Sequence, residues 1–210
     1  QDQLQISQVL EPKTFNHYLD LFNSDFNSFQ NEKDSFSRGS TTHVSIIDRE
    51  GNAASVTTTN GEGCGYIIPE LGIMLNNMLG EEDLNPLGFH QWPQAQRLPT
   101  MMAPTVIMGK KGVELVLGSG GSNRLRSAIS QVILNLFIKK MDLKAAVHAA
   151  RIHLEGNVLH FEPGTQLERL PDDIQLHPWN EQNLFFGGVN AVTRSDSVGD
   201  PRRGGAGIIF

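Results

Sequence analysis

Between His43 and Ile46 polar and apolar residues alternate singly, the period of a strand whose two faces differ, and after Glu50-Gly51-Asn52 a second run, 53–59, is rich in β-branched residues. The two runs predict a β-hairpin. The segments 104–108 and 113–117 flank Gly109-Lys110-Lys111-Gly112 and predict a second. Gly118-Ser119-Gly120-Gly121-Ser122 then reads as a strand-to-helix turn. Beyond it Leu125, Ile129, Val132, Ile133, Leu136 and Phe137 fall on one helical stripe that must pack on a sheet. Asp142 is expected to cap another helix reaching Arg151, with Leu143, Ala146, Val147 and Ala150 inward. Short strands are expected over 71–75, 158–161, 185–192 and 207–210.

At the front, Phe15, Tyr18, Leu19 and Phe22 recur at helical spacing after Pro12, whereas 23–40 turns polar and predicts an exposed linker. The expected division is therefore 1–40, helix plus linker, and 41–210, a domain of its own. Between the hairpins lie a glycine-rich turn, Asn60-Gly61-Glu62-Gly63-Cys64-Gly65, and a long irregular stretch, 76–104, with Glu81-Glu82-Asp83 and four prolines. Loops of that length in a compact domain are usually functional or mobile.

A chain of 210 residues is long enough for one sizeable core, and its net charge of -6 comes without a basic stripe, which argues against a nucleic-acid partner. It has no apolar run of the ~18 residues that a membrane helix needs. The lone Cys64 leaves the redox compartment open, and as a small residue in a glycine-rich turn it needs no further role. Among the 7 histidines, His148 and His153 lack the spacing of a helical metal pair, so neither metal nor other cofactor is assigned. The opening Gln1-Asp2-Gln3-Leu4 shows no secretion leader, as expected equally of a mature chain and of a fragment.

Chemistry centres on Thr41, at the head of the first hairpin strand. A threonine hydroxyl is a poor nucleophile unless a base lies beside it, and one solution is the residue's own α-amine, freed by cleavage of the preceding peptide bond. That amine titrates near pH ~7.7 to 8.0, so enough is unprotonated at neutrality to accept a proton. While Ser40 is attached the nitrogen is an amide, so activity would follow scission between Ser40 and Thr41. Two threonines alone are an ordinary strand start. Gly120 and Gly121 add backbone N–H groups before a helix, suited to a developing oxyanion, and their setting matches neither a Walker loop nor a dinucleotide fingerprint. His43 shares a strand face with Thr41, but a structural histidine is the preferred reading. Glu81, Glu82 and Asp83 form either a receptor for a substrate ammonium or a solvated acidic cluster.

Together, Thr41-Thr42-His43, the 48–52 turn, Val56-Thr57-Thr58-Thr59, Gly72-Ile73-Met74-Leu75-Asn76-Asn77, Pro104-Thr105-Val106, Gly118-Ser119-Gly120-Gly121 and Asp200-Pro201-Arg202 resemble the gamma-glutamyltranspeptidase family, threonine members of the N-terminal nucleophile hydrolases. The resemblance covers nearly everything from Thr41 onward, the family's small subunit, with 1–40 as the end of the large one. It implies an α+β fold, the four-layer αββα sandwich in part. It implies self-cleavage before Thr41, Thr59 orienting the nucleophile, and Gly120 and Gly121 stabilising the tetrahedral intermediate. The γ-glutamyl group of glutathione or a related amide would pass to Thr41, then to water or an acceptor amine.

By the same resemblance Asn60 and one of Glu81, Glu82 and Asp83 would bind substrate, and Thr100-Met101 stand where the family carries a carboxylate-gripping serine pair. Ser119 stands where better-known members have proline before the glycines. The large subunit, with a carboxylate-binding arginine and half the sandwich, is the implied partner, a second copy of the chain being the other candidate. A periplasmic or extracellular location is implied by family alone. A related amide acylase and an inactive fragment or binding module are the alternative readings.

Overall fold

The computed structural model describes residues 41–61, 63–168 and 170–210, all within one unit, Gly39–Phe210. The helix expected after Pro12, the linker over 23–40 and Ser40 lie outside the described residues.

Strands β1 (Thr42–Ile47) and β2 (Ala53–Thr58) form the first predicted hairpin, in an antiparallel register that pairs Val44 with Val56. The turn closes because Asp48 accepts hydrogen bonds from both the backbone and the side-chain amide of Asn52, each at 2.8 Å. β3 (Ile67–Ile68) and β4 (Ile73–Met74) make a small ribbon, so the strand expected over 71–75 is shorter and has a partner that sequence did not suggest.

The second hairpin, β5 (Thr105–Gly109) and β6 (Gly112–Gly120), joins β10 (Gly188–Val192) and β11 (Ser197–Val198) in a four-stranded sheet ordered β11-β10-β6-β5. Here the structure corrects the sequence reading. Gly118, Ser119 and Gly120 are strand, paired with Asn190, Val189 and Gly188, and the turn begins only at Gly121. A three-residue 3-10 turn, Ser122–Arg124, then separates the glycines from helix α1 (Leu125–Phe137). The strand expected from 185 begins at Gly188, because Leu184–Phe186 is a 3-10 turn ended by Gly187 at φ 78°. None forms over 207–210: Gly207 crosses the end of the sheet against the Ser197 carbonyl, and Ile208, Ile209 and Phe210 are exposed.

One face of this sheet carries the core. Leu115, Leu117, Val189, Ala191 and Val198 pack against Ala128, Ile129 and Val132 of α1 and against Leu143, Ala146 and Val147 of α2 (Leu143–His148). Asp142 caps α2 as expected, accepting from the Ala145 amide at 2.8 Å, yet the helix stops well short of Arg151. The Arg151 and Arg202 guanidiniums take the Val147 carbonyl and Arg202 takes that of Ala149, so side-chain cations close the helix end. A third sheet follows, β7 (Ile152–Glu155), β8 (Val158–Phe161) and β9 (Gln175–Pro178), with β8 and β9 parallel.

The first hairpin lies on the other face of the four-stranded sheet, with its polarity reversed from the usual arrangement. His43 is buried and Ser45, Ser55 and Thr57 face inward, while Val44, Ile46 and Val56 are each about half exposed. The inward hydroxyls dock directly on sheet backbone: Ser45 donates to the Asn190 carbonyl at 3.2 Å and Ser55 to that of Leu117 at 3.1 Å. Asn190 returns a bond from its side-chain amide to the His43 carbonyl at 2.9 Å.

Candidate active site

Thr41 sits at the open end of the hairpin, immediately before β1, where the docked strands bring it against the end of β6. Its Oγ1 lies 3.0 Å from Thr59 Oγ1, and the Thr59 hydroxyl also accepts the Gly61 N–H at 3.0 Å. Gly61 is fixed in turn: Asn77 and Glu81 side-chain oxygens each come within 2.5 Å of where its Cβ would stand. Asn60 contributes its carbonyl, which accepts from Gly63 at 3.0 Å and Asn77 at 3.1 Å. The acidic trio therefore separates. Glu81 is drawn to the Gly61 turn beneath Thr59, Asp83 accepts the Ser122 hydroxyl at 3.0 Å, and Glu82 is exposed.

Gly120 meets Thr41 from the other side. A Cβ there would stand 2.8 Å from the Thr41 carbonyl oxygen and 3.3 Å from Thr41 Cβ, so only glycine lets the strand approach this closely. Gly121, at φ 133°, turns the chain out of the sheet. The peptide between them has a fixed direction. Ser119, fully buried, donates its hydroxyl to the Gly120 carbonyl at 2.8 Å and accepts the Gly188 N–H at 3.1 Å. Because a trans peptide points its C=O and N–H oppositely, the Gly121 N–H faces away from Ser119. It makes no hydrogen bond among the described residues. A bare donor of this kind is what an oxyanion requires.

His43 is a supporting residue. Nδ1 is 2.7 Å from Thr57 Oγ1 and Nε2 is 2.8 Å from Ser45 Oγ, leaving neither ring nitrogen for Thr41. The ring fills the space above Gly118, where any Cβ would lie 2.3 Å from it. Burial lowers its pKa to about 4, so the imidazole is neutral at physiological pH. Thr100 is exposed with its hydroxyl turned back to the Met102 amide at 3.1 Å, and Met101 is half-buried. No metal-ligand cluster occurs among the described residues.

Two residues near the site carry no role in the sequence reading. Arg203 reaches Gly120 and Gly121 with its guanidinium, and Gly187 packs its backbone 2.8 Å from where a Gly121 Cβ would be. The signal for Arg203 was its position directly after Asp200-Pro201-Arg202. That motif forms a buried network. Arg151 pairs with Asp200 at 2.5 Å, Arg202 with Glu162 and with Asp200, and Asp200 also accepts the Val189 amide at 2.9 Å.

The family model described as Gamma-glutamyltranspeptidase matches residues 3–210. The chain belongs to the gamma-glutamyltranspeptidase family. It is 31% identical over 180 residues to the glutathione hydrolase proenzyme of Bacillus subtilis strain 168, an alignment covering 81% of this chain and 31% of that protein. It is 36% identical over 160 residues to the Acylase ACY 1 proenzyme of Pseudomonas sp. strain SE83, covering 72% and 28%. The solved gamma-glutamyltranspeptidase of Pseudomonas nitroreducens complexed with L-DON superposes with a TM-score of 0.65 at 25% identity, over 80% of this chain and 99% of that one.

The chain thus spans about a third of the length of the curated relatives it matches. Its fold is that of the N-terminal nucleophile hydrolases: sheets stacked on sheets, with helices α1 and α2 on the outer face of the larger one. The family is one of enzymes, in which hydrolases and acylases share this framework.

Proposed function

We propose that this chain is the nucleophile-bearing part of a γ-glutamyl hydrolase or transferase, made as a precursor and cleaved between Ser40 and Thr41. The observation that carries the reading is the convergence on Thr41 of the Thr59 hydroxyl at 3.0 Å and of Gly120, whose missing Cβ leaves room for the Thr41 backbone. Thr41 Oγ attacks the carbonyl carbon of the γ-amide while its proton passes to the Thr41 α-amine. Negative charge on the former carbonyl oxygen is met by backbone N–H groups where β6 ends, at Gly120 and Gly121. The intermediate collapses as the leaving nitrogen takes the proton, giving a threonyl ester. Water or an acceptor amine then attacks that ester and regenerates the hydroxyl. Of the three acids, Glu81 is the one we assign to the substrate ammonium, and its packing on the Gly61 turn beneath Thr59 supports that choice.

The half-exposed Val44, Ile46 and Val56 face of the hairpin supports a partner layer, supplied by the portion of the longer relatives that this chain does not span. A second reading, amide acylase, is favoured by Thr100-Met101, where one of two family hydroxyls is replaced by a thioether, and by the likeness to the Pseudomonas acylase.

The test uses the complete protein and a Thr41→Ala variant with a γ-glutamyl anilide. Wild type is expected to split before Thr41 and release the aniline; the variant stays whole and is inactive. Equal turnover by both disposes of Thr41 as nucleophile. A glutaryl amide hydrolysed faster than its γ-glutamyl counterpart selects the acylase reading.

A further inference from the structure

The fully buried charges near the site balance one another. Asp200 is taken by Arg151, Arg202 and the Val189 amide, and Glu162 by Arg202 and by the Arg151 and Asn183 amides. Arg203, the next residue, has no carboxylate partner among the described residues. Its one hydrogen bond there is a long one, from Nη2 to the Leu184 carbonyl at 3.4 Å, and its Nε is buried without a partner. Its methylene stem packs on Gly188, with Cδ 2.5 Å from where a Cβ would be, so the guanidinium is held in place by its own stem.

The guanidinium points at the reacting centre. Nη1 lies 3.3 Å from the Cβ position of Gly120, and Thr41 Cβ lies 3.3 Å from that same point. Nη2 is 3.7 Å from the Cβ position of Gly121. A planar cation with free donors matches a carboxylate in charge and geometry.

Resting on the γ-glutamyl reading above, we propose that Arg203 is a specificity residue that binds a carboxylate in the part of the substrate beyond the scissile amide. Two carboxylates are available, that of the γ-glutamyl group and that of an amino-acid or peptide leaving group or acceptor. The first is one carbon from the ammonium and travels with it to Glu81, which reaches the nucleophile through Gly61 and Thr59. Arg203 reaches it through Gly120 instead. It therefore faces the half of the substrate that departs, and the acceptor amino acid or dipeptide that replaces it. The chemistry favoured is a donor ending in a free α-carboxylate, such as γ-glutamylglycine, over the corresponding amide.

The experiment compares wild type with Arg203→Met, which keeps the stem, and Arg203→Lys, which keeps the charge, in the complete protein. With γ-glutamylglycine as donor, R203M is expected to lose about 10- to 100-fold in kcat/KM, mainly through KM, the loss of one charge-assisted contact. With γ-glutamylglycinamide the loss stays below about 3-fold, and R203K recovers part of the first loss. An equal loss on both donors, or a loss in kcat alone, assigns Arg203 to oxyanion stabilisation or to the fold and overturns the proposal. A loss that instead tracks the glutamyl carboxylate, read by replacing the γ-glutamyl group with 4-aminobutyryl, which keeps the ammonium and lacks that carboxylate, overturns it as well.

Binding that needs no turnover separates this inference from the catalytic reading. Calorimetric titration of the wild type, without any γ-glutamyl donor, with glycylglycine and with glycylglycinamide is expected to show a preference for the carboxylate that R203M abolishes, whatever the enzyme hydrolyses. Equal binding of the two by the wild type rules the carboxylate site out.

Discussion

At Gly120 a single methyl group decides whether Thr41 and the sheet can meet, and the neighbouring Ser119 decides which way the peptide between the glycines faces. Ser119→Ala removes the donor to the Gly120 carbonyl and the acceptor for the Gly188 N–H. If the Gly121 N–H serves the oxyanion, kcat on a γ-glutamyl anilide falls on the order of 10-fold or more with KM little changed. Stability falls by about 1–3 kcal/mol for the orphaned amide, a loss read by denaturant titration. Much at this scale was legible in sequence. Thr41, Thr59 and the glycine pair stand in recognisable order, and the structure brings them together. What was not legible was direction: Ser119 looked like the replacement of a proline, and only the folded backbone shows where its hydroxyl goes.

At the scale of elements, the docking of β1–β2 on β6 and β10 depends on a neutral imidazole between them. His43 has a pKa near 4 in the fold against about 6.5 in the unfolded chain, where it is free to protonate. Below pH ~6.5 the unfolded state therefore binds more protons, so the stability this group contributes is complete above that value and lost as pH falls toward 4. The loss amounts to about 3 kcal/mol at most. Urea titrations at pH 7 and pH 5 should show the decline in the wild type and a smaller one in His43→Gln, and NMR titration of the ring should find it unprotonated at pH 5.5. The hairpins and the α1 stripe were predictable because period and turn chemistry agree. Gly118-Ser119-Gly120 was misread as a turn because glycine is a poor strand former. Its strand state is imposed from outside, by pairing with β10 and by the room that His43 and Thr41 require.

Across the whole molecule, four buried charges connect segments far apart in sequence. Arg151 and Glu162 flank the β7–β8 hairpin, Asp200 and Arg202 follow β11, and together they close the end of α2 and hold the Val189 amide of β10. No local pattern announces this, since each residue alone reads as a surface charge. Removing one member strands the others. Asp200→Ala is expected to cost roughly 3–5 kcal/mol, seen as a lower denaturation midpoint with an unchanged slope. Leu→Ala truncations at the exposed Leu184 should do far less.

The reversed hairpin carries its own consequence. Its hydroxyls are turned toward the sheet and its branched aliphatic side chains toward water, so a preparation of this stretch without a covering layer would be adhesive along one flank. Dye fluorescence and light scattering should rise together with protein concentration, and replacing Val44, Ile46 and Val56 by threonine should quiet both while sparing the seating of Thr41.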